Sequence, residues 1–265
     1  MAFVQVHRLS HAYPDGTRAL EEVSFGIAEG QTVGLVGANG AGKSTLLLHL
    51  NGLLPERLGS QGQHHHLPTE ENDEGEDRVI PAVEINGLAV AKENLPEIRR
   101  QVGLLFQDPD DQLFCPTVLE DVAFGPLQLS LSREEVLERA RKSLEEVGLS
   151  GYEDRMPHHL SVGERKRVCV AGLLACRPRF LVLDEPTANL DPRGRRRFMN
   201  LIQSLDCTKL IASHDLEMIR ALCSRVLVLG EGRLPADGPT DELLGDESLM
   251  EEHGLEVPLS LQQER

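Results

Sequence analysis

Residues 37–44, Gly-Ala-Asn-Gly-Ala-Gly-Lys-Ser, constrain this chain more than any other stretch. They fit the spacing G-x-x-x-x-G-K-[ST], follow the apolar run Thr32-Val33-Gly34-Leu35-Val36 and open a helical run from Ser44 to Leu54. Strand, glycine-rich turn and helix in immediate succession are the context in which such a loop forms. Glycines let backbone N–H groups line a concave turn without Cβ clashes, and the helix N-terminus adds partial positive charge. The loop therefore suits phosphate groups, with Lys43 reaching β- and γ-phosphates and the Ser44 hydroxyl available to Mg²⁺.

The rest of the chain supplies a matching body. Ala2 to Val6 and Val23 to Ile27 are apolar at alternate or nearly alternate positions, with Pro14-Asp15-Gly16 between them, which predicts an antiparallel start. The runs Phe180-Leu181-Val182-Leu183 and Val226-Leu227-Val228-Leu229 are continuously apolar, and Lys209-Leu210-Ile211-Ala212 is apolar after its lysine, as strands buried on both faces require. Between Gln107 and Leu160 the pattern turns helical. Ser132-Arg133-Glu134-Glu135 has capping-box spacing, and Val136, Leu137, Ala140, Leu144 and Val147 make one stripe that stops at Gly148. The expectation is an α/β fold with a mainly parallel sheet, an N-terminal antiparallel part and a helical subdomain over about residues 108–165.

Asp184 and Glu185 follow the run Phe180 to Leu183, so both carboxylates stand at the C-terminal end of a buried strand, where ligands of open α/β sheets gather. Asp184 is suited to a Mg²⁺ shell, and Glu185, pointing differently, to polarising a water against a γ-phosphate.

With these residues in view, the chain resembles the nucleotide-binding subunit of ABC transporters, matched in order over roughly residues 3–240. Leu160-Ser161-Val162-Gly163-Glu164 resembles the signature segment, Gln107 the glutamine loop, Ala188-Asn189-Leu190-Asp191 the loop after the carboxylates, and His214 the switch histidine. The resemblance implies Glu185, His214 and Gln107 as catalytic residues. It implies ATP contacts at Tyr13 (stacked on adenine), Gly37, Asn39, Gly40, Gly42, Lys43, Ser44, Thr45, Ser161 and Gly163, and Mg²⁺ ligands Ser44, Gln107 and Asp184. ATP and Mg²⁺ are the expected cofactors.

A narrower likeness lies in Phe106-Gln107-Asp108-Pro109-Asp110-Asp111-Gln112-Leu113-Phe114 and Val118 to Pro126, which are similar to the ATPases of energy-coupling factor transporters. That resemblance implies an ATP-hydrolysing motor subunit of an importer, for cobalt or nickel ions, with vitamin uptake as the alternative cargo. Its partners would be a second ATPase subunit, identical or not, closing head to tail, and a transmembrane subunit docked on the segment after the glutamine loop. The expected location is the cytoplasmic face of the membrane. Two residues depart from the usual signature, Val162 in place of glycine and Glu164 in place of glutamine. Val162 is tolerable where φ is negative, Gly163 is expected to carry the backbone freedom, and Glu164 is expected to oppose the partner's triphosphate unless Arg165, Lys166 or Arg167 offsets it.

Composition narrows the classes. The formal charge is −16, but residues 56–81 carry seven acids against two bases and residues 241–265 eight against one, so the body is nearly balanced. An acidic chain lacks the basic footprint of a nucleic-acid binder, and only 52 residues separate Gln107 from Leu160, too few for the long coiled-coil arms of non-transport mechanical ATPases of this superfamily. The run Arg193, Arg195, Arg196, Arg197 reads as a solvated helix face. Five scattered cysteines suggest a reduced, cytosolic protein, and no apolar run reaches the ~18–20 residues that span a bilayer. Residues 56–78, with His64, His65, His66 and six acids from Glu70 to Asp77, read as a mobile insert, either a solvated linker or a nickel or cobalt site. Residues 241–265 read as an acidic tail beyond a nucleotide-binding domain over 1–240.

Overall fold

The computed structural model describes residues 2–54, 69–71, 77–79 and 81–263. Along the chain lie strands β1 (Ala2–Ala12), β2 (Arg18–Ala28) and β3 (Thr32–Val36), helix α1 (Lys43–Leu50), and strands β4 (Thr69–Glu71), β5 (Asp77–Val79), β6 (Val83–Ile85) and β7 (Leu88–Ala89). Then come α2 (Leu95–Gln101), β8 (Val102–Leu105), α3 (Val118–Leu127), α4 (Arg133–Glu146), α5 (Val162–Ala175), β9 (Phe180–Asp184) and α6 (Pro192–Ser204). The chain ends with β10 (Thr208–Ala212), α7 (Leu216–Leu222), β11 (Arg225–Gly230), β12 (Arg233–Pro239), α8 (Thr240–Gly245), α9 (Glu247–Glu252) and α10 (Leu259–Gln262). These elements divide between two compact units, Met1–Arg99 with Thr208–Arg265, and Arg100–Cys207.

In the first unit the expected antiparallel start is present and longer than the apolar alternation suggests. β1 pairs with β2, Val6 opposite Phe25, and on its other side with β6, Val4 opposite Ile85, giving the order β2-β1-β6-β7. A second run of strands is β12-β11-β3-β10, with β3 parallel to both β10 and β11 and β12 antiparallel at the edge. Val33, Leu35 and Val36 of β3, Leu210 to Ala212 of β10 and Val226 to Leu229 of β11 have no exposed surface, the burial on both faces that their continuous apolarity requires. The helix expected to reach Leu54 stops at Leu50, because Gly52 turns the chain through the left-handed region (φ +70°).

The stretch read as an acidic tail is folded over residues 241–263. Leu244 and Met250 are fully buried, and Ser260 donates to the Glu217 carboxylate of α7 from its N–H at 3.0 Å and its hydroxyl at 2.6 Å. The Ser260 hydroxyl bond holds the Glu217 carboxyl below its ordinary range. Of the acidic insert, β4 and β5 are described and pair antiparallel, Thr69 opposite Val79. The histidines at 64–66 lie outside the described residues.

The second unit has β8 parallel to β9, Leu105 opposite Leu183, and the helices α3, α4, α5 and α6. Their starts are encoded locally. Thr117 and Ser161 each form a full capping box, with Glu120 and Glu164, while Ser132 accepts from the Glu135 N–H and Asp191 from the Gly194 N–H. Val136, Ala140 and Leu144 of α4 are buried, so the stripe read from the sequence is its inward face, together with Ser143, which the pattern did not mark. α6 buries Phe198 and Ile202 and leaves Arg193, Arg196 and Arg197 exposed, the solvated face expected of that basic run.

Candidate functional site

In the first unit the phosphate loop leaves the C-terminal end of β3. Its shape depends on missing side chains. A Cβ on Gly37 would stand 2.2 Å from the Leu229 carbonyl oxygen, and one on Gly42 2.3 Å from that of Ala19, where φ is also +103°. Lys43 is buried and donates from Nζ to the carbonyls of Gly37 at 2.7 Å and Ala38 at 3.0 Å, which folds the ammonium over its own loop. Asn39, Gly40 and Ser44 are exposed. Thr45 is buried, and its hydroxyl lies 3.0 Å from that of Tyr13.

Tyr13 follows β1 directly and is about one-third exposed. Its ring packs edge to face on His11 at 4.8 Å, and His11 packs likewise on His49, whose Nδ1 is 2.8 Å from the Thr45 carbonyl. The aromatic ring is thus fixed to the first turn of α1, the turn that carries Lys43 and Ser44. His214 is exposed two residues after Ala212, which pairs with Leu35 of β3. The phosphate loop and His214 therefore leave the same ends of adjacent parallel strands. Asp215 caps α7 by accepting from the Met218 N–H at 3.0 Å.

The second unit repeats this arrangement. Leu105 pairs with Leu183, so Gln107 and Glu185 each stand two residues beyond that pair, past the ends of neighbouring parallel strands. Gln107 is exposed, whereas Asp184 and Glu185 are buried. Glu185 has φ +44°, the left-handed region that a side chain disfavours and that recurs at functional positions.

The signature segment departs from two expectations. Val162 is the first helical residue of α5, the negative-φ backbone that tolerates its branch, but Gly163 is helical too. A Cβ there would meet only Leu190 Cδ2 at 3.4 Å, so this glycine supplies open surface rather than torsional freedom. Nor does Glu164 stand as a bare charge. Its carboxylate accepts from the Ser161 N–H (2.9 Å) and hydroxyl (2.6 Å) and from the Tyr152 hydroxyl (2.8 Å), and the Ser161 hydroxyl bond above all holds it below the ordinary carboxylate range. The cations expected to offset it act elsewhere: Arg165 pairs with Asp110, Lys166 binds main-chain carbonyls, and only Arg167, bonded to the Val147 and Gly148 carbonyls, contributes a minor pull.

Two residues of this unit escaped the sequence reading. Ser161-x-x-Glu164 has visible capping-box spacing, which would have placed the carboxylate, but nothing local marks Tyr152 as its second partner. Lys166 is fully buried, and its only sequence signal is its place between Val162 and Val170 at four-residue steps on α5.

The segment after Gln107 presents an aromatic pair. Phe114 and Phe124 meet edge to face at 4.8 Å while 66% and 45% exposed. The buried Asp121 carboxylate accepts from the N–H groups of Phe114 (3.1 Å) and Cys115 (2.9 Å), which sets the turn presenting Phe114. Among the described residues no helix is long and apolar enough to cross a membrane, and no group of three or more His, Cys, Asp or Glu side chains is arranged to hold a metal ion.

Residues 20–188, which run from before the phosphate loop to just past the paired carboxylates, match the family described as ABC transporter. The chain belongs to that family. ABC ATPases of this kind bind ATP and hydrolyse it to power transport, and this chain is such an ATPase subunit. It is 45% identical over 96% of its length to the energy-coupling factor transporter ATP-binding protein EcfA of Methanothermobacter thermautotrophicus, covering 76% of that protein. The structure of cbiO1 from Clostridium perfringens, part of the ABC transporter complex cbiONQ, superposes with a TM-score of 0.75 at 31% identity, covering 99% of this chain and 98% of that one. The ATP-binding cassette MJ0796, seen as a dimer in a post-hydrolysis state with ADP and Pi, gives 0.72 at 26% identity over 89% of this chain and 98% of that one.

Proposed function

We propose that the chain is the motor subunit of an energy-coupling factor importer for cobalt or nickel ions, bound peripherally at the cytoplasmic face of the membrane. The likeness over nearly the whole chain to EcfA and to cbiO1 supports the transporter type, and the cargo is the one that the resemblance of residues 106–126 implies. The observation that carries the coupling role is the exposed Phe114–Phe124 pair in the segment after Gln107, an apolar surface suited to a transmembrane partner.

Lys43 and the loop N–H groups hold the phosphates, Tyr13 stacks on the adenine, and Gly37, Asn39, Gly40, Gly42 and Thr45 complete the cradle. Glu185 polarises the attacking water and His214 contacts the γ-phosphate, while Ser161 and Gly163 serve the ATP held by a second ATPase subunit. Ser44, Gln107 and Asp184 offer a hydroxyl, an amide and a carboxylate, all hard oxygen donors that fit Mg²⁺. When bound, that ion neutralises charge on the β- and γ-phosphates. The test is isolation with the native membrane partners, reconstitution, and ATP-dependent uptake of Co²⁺ and Ni²⁺. Uptake lost in Lys43→Ala supports the reading, whereas vitamin uptake without metal uptake replaces the cargo, and isolation without any membrane partner contradicts it.

A further inference from the structure

Lys166 has no exposed surface, an expensive place for an ammonium, and nothing in the reaction described above uses it. Its Nζ donates to two consecutive main-chain carbonyls, Glu185 at 2.9 Å and Pro186 at 3.3 Å. The Glu185 carbonyl also accepts from the Ala188 N–H at 3.1 Å. This carbonyl belongs to the residue held at φ +44°, a conformation that persists only where its surroundings impose it. Lys166 lies on α5, five residues after Ser161, the cap of the same helix.

We infer that Lys166 is a positioning residue for Glu185: its ammonium pins the main chain of Glu185 and Pro186 and so fixes where the Glu185 carboxylate points. Because the same helix begins at Ser161, a displacement at the signature segment is carried to Glu185 by this contact. The inference rests on the reading of Glu185 as the group that polarises water. Lys166 itself touches neither nucleotide nor water in this account. Its removal therefore alters turnover and spares binding.

The experiment compares steady-state ATP hydrolysis and equilibrium ATP binding for the purified chain with its membrane partners, in the parent, Lys166→Met, Lys166→Gln and the double variant Lys166→Met with Glu185→Gln. Lys166→Met keeps a straight chain of similar size and leaves both carbonyls without their donor. The expected result is a fall in kcat of roughly 10- to 100-fold, the scale of a misplaced catalytic group, with KM and ATP affinity within about twofold of the parent. Lys166→Gln, which keeps an N–H donor, recovers part of the loss. In the Glu185→Gln background Lys166→Met costs nothing further, because the group it positions is already gone.

An unchanged kcat in folded Lys166→Met overturns the inference. So does an equal fractional loss with and without Glu185, since that marks a purely structural lysine. Should Lys166→Met fail to fold, Lys166→Gln alone and combined with Glu185→Gln decides by the same non-additivity. Full turnover in Glu185→Gln alone would instead refute the role of Glu185, and this inference with it.

Discussion

The phosphate loop and the signature–carboxylate region are built by opposite means. Around residues 37–45 the backbone does the shaping: Gly37 and Gly42 pass within a missing side chain of the Leu229 and Ala19 carbonyls, and Lys43 bonds to its own loop. Around Ser161 and Glu185 side chains do it: Glu164 holds Ser161, Tyr152 holds Glu164, and buried Lys166 holds the main chain of Glu185. The first design fixes a rigid cradle whose parts are visible as glycines. The second holds its groups through side-chain hydrogen bonds, among them those by which Lys166 pins the main chain of Glu185 and Pro186. Substitutions in the two regions should therefore separate into effects on ATP affinity and effects on rate.

The sharpest break of that comparison is Glu185→Gln. Turnover should fall by about 10²–10⁴-fold, the contribution of a general base, with ATP affinity retained, as measured by steady-state hydrolysis beside equilibrium binding. Next in size is Lys43→Ala. Losing a charged donor to phosphate should weaken ATP binding by roughly 10- to 100-fold, measured by titration calorimetry.

A smaller effect is expected from Glu164→Gln. The Ser161 hydroxyl has one proton, now given to the Glu164 carboxylate, and in its proposed role it would redirect that proton to a partner's phosphate. A charge-assisted bond is about twice as strong as a neutral one, so removing the charge should lower the ATP concentration for half-maximal dimerisation by roughly two- to tenfold. Light scattering of a Glu185→Gln form against ATP concentration measures it, and a rise in that concentration would mean the clamp helps rather than hinders Ser161.

Away from both regions, Ser260→Ala probes the folded C-terminal segment. The Ser260 hydroxyl is the largest cause of the lowered Glu217 pKa, from an ordinary 4.5. A carboxyl depressed on folding stabilises the protein above its unfolded pKa and loses that contribution as pH falls through the folded value. The loss in thermal midpoint should thus be fully present near neutral pH and shrink as pH drops below about 4.5. The smallest effect, none on ATP hydrolysis, is expected from deleting residues 59–76, measured with Ni²⁺ and Co²⁺ affinity in the same samples. Unchanged metal affinity would remove the histidines at 64–66 as a metal site.

What was legible in the sequence follows the same division. The strands β3, β9, β10 and β11 announced themselves because burial on both faces leaves apolar runs, in β10 the run Leu210 to Ala212 after the buried Thr208 and Lys209, and the loop after β3 because its close backbone approaches admit only glycine. The region around Ser161 was read by type but not by arrangement. Glu164 looked like a charge facing a ligand, yet its partners include Tyr152, twelve residues away across a turn. Lys166 looked like one basic residue among three, and its burial depends on a carbonyl nineteen residues on. The C-terminal residues read as an acidic tail because their charges outnumber Leu244 and Met250, whose burial is set by tertiary packing rather than local pattern.

The central claim, that this ATPase binds with one set of residues and turns over with another, is tested most directly by measuring ATP affinity and hydrolysis rate on the same preparations of the parent, Lys43→Ala and Glu185→Gln. Lys43→Ala should lose affinity, and Glu185→Gln should keep the parent's affinity while losing its rate. Parental turnover in Glu185→Gln, or a loss of affinity there equal to that of Lys43→Ala, would contradict it.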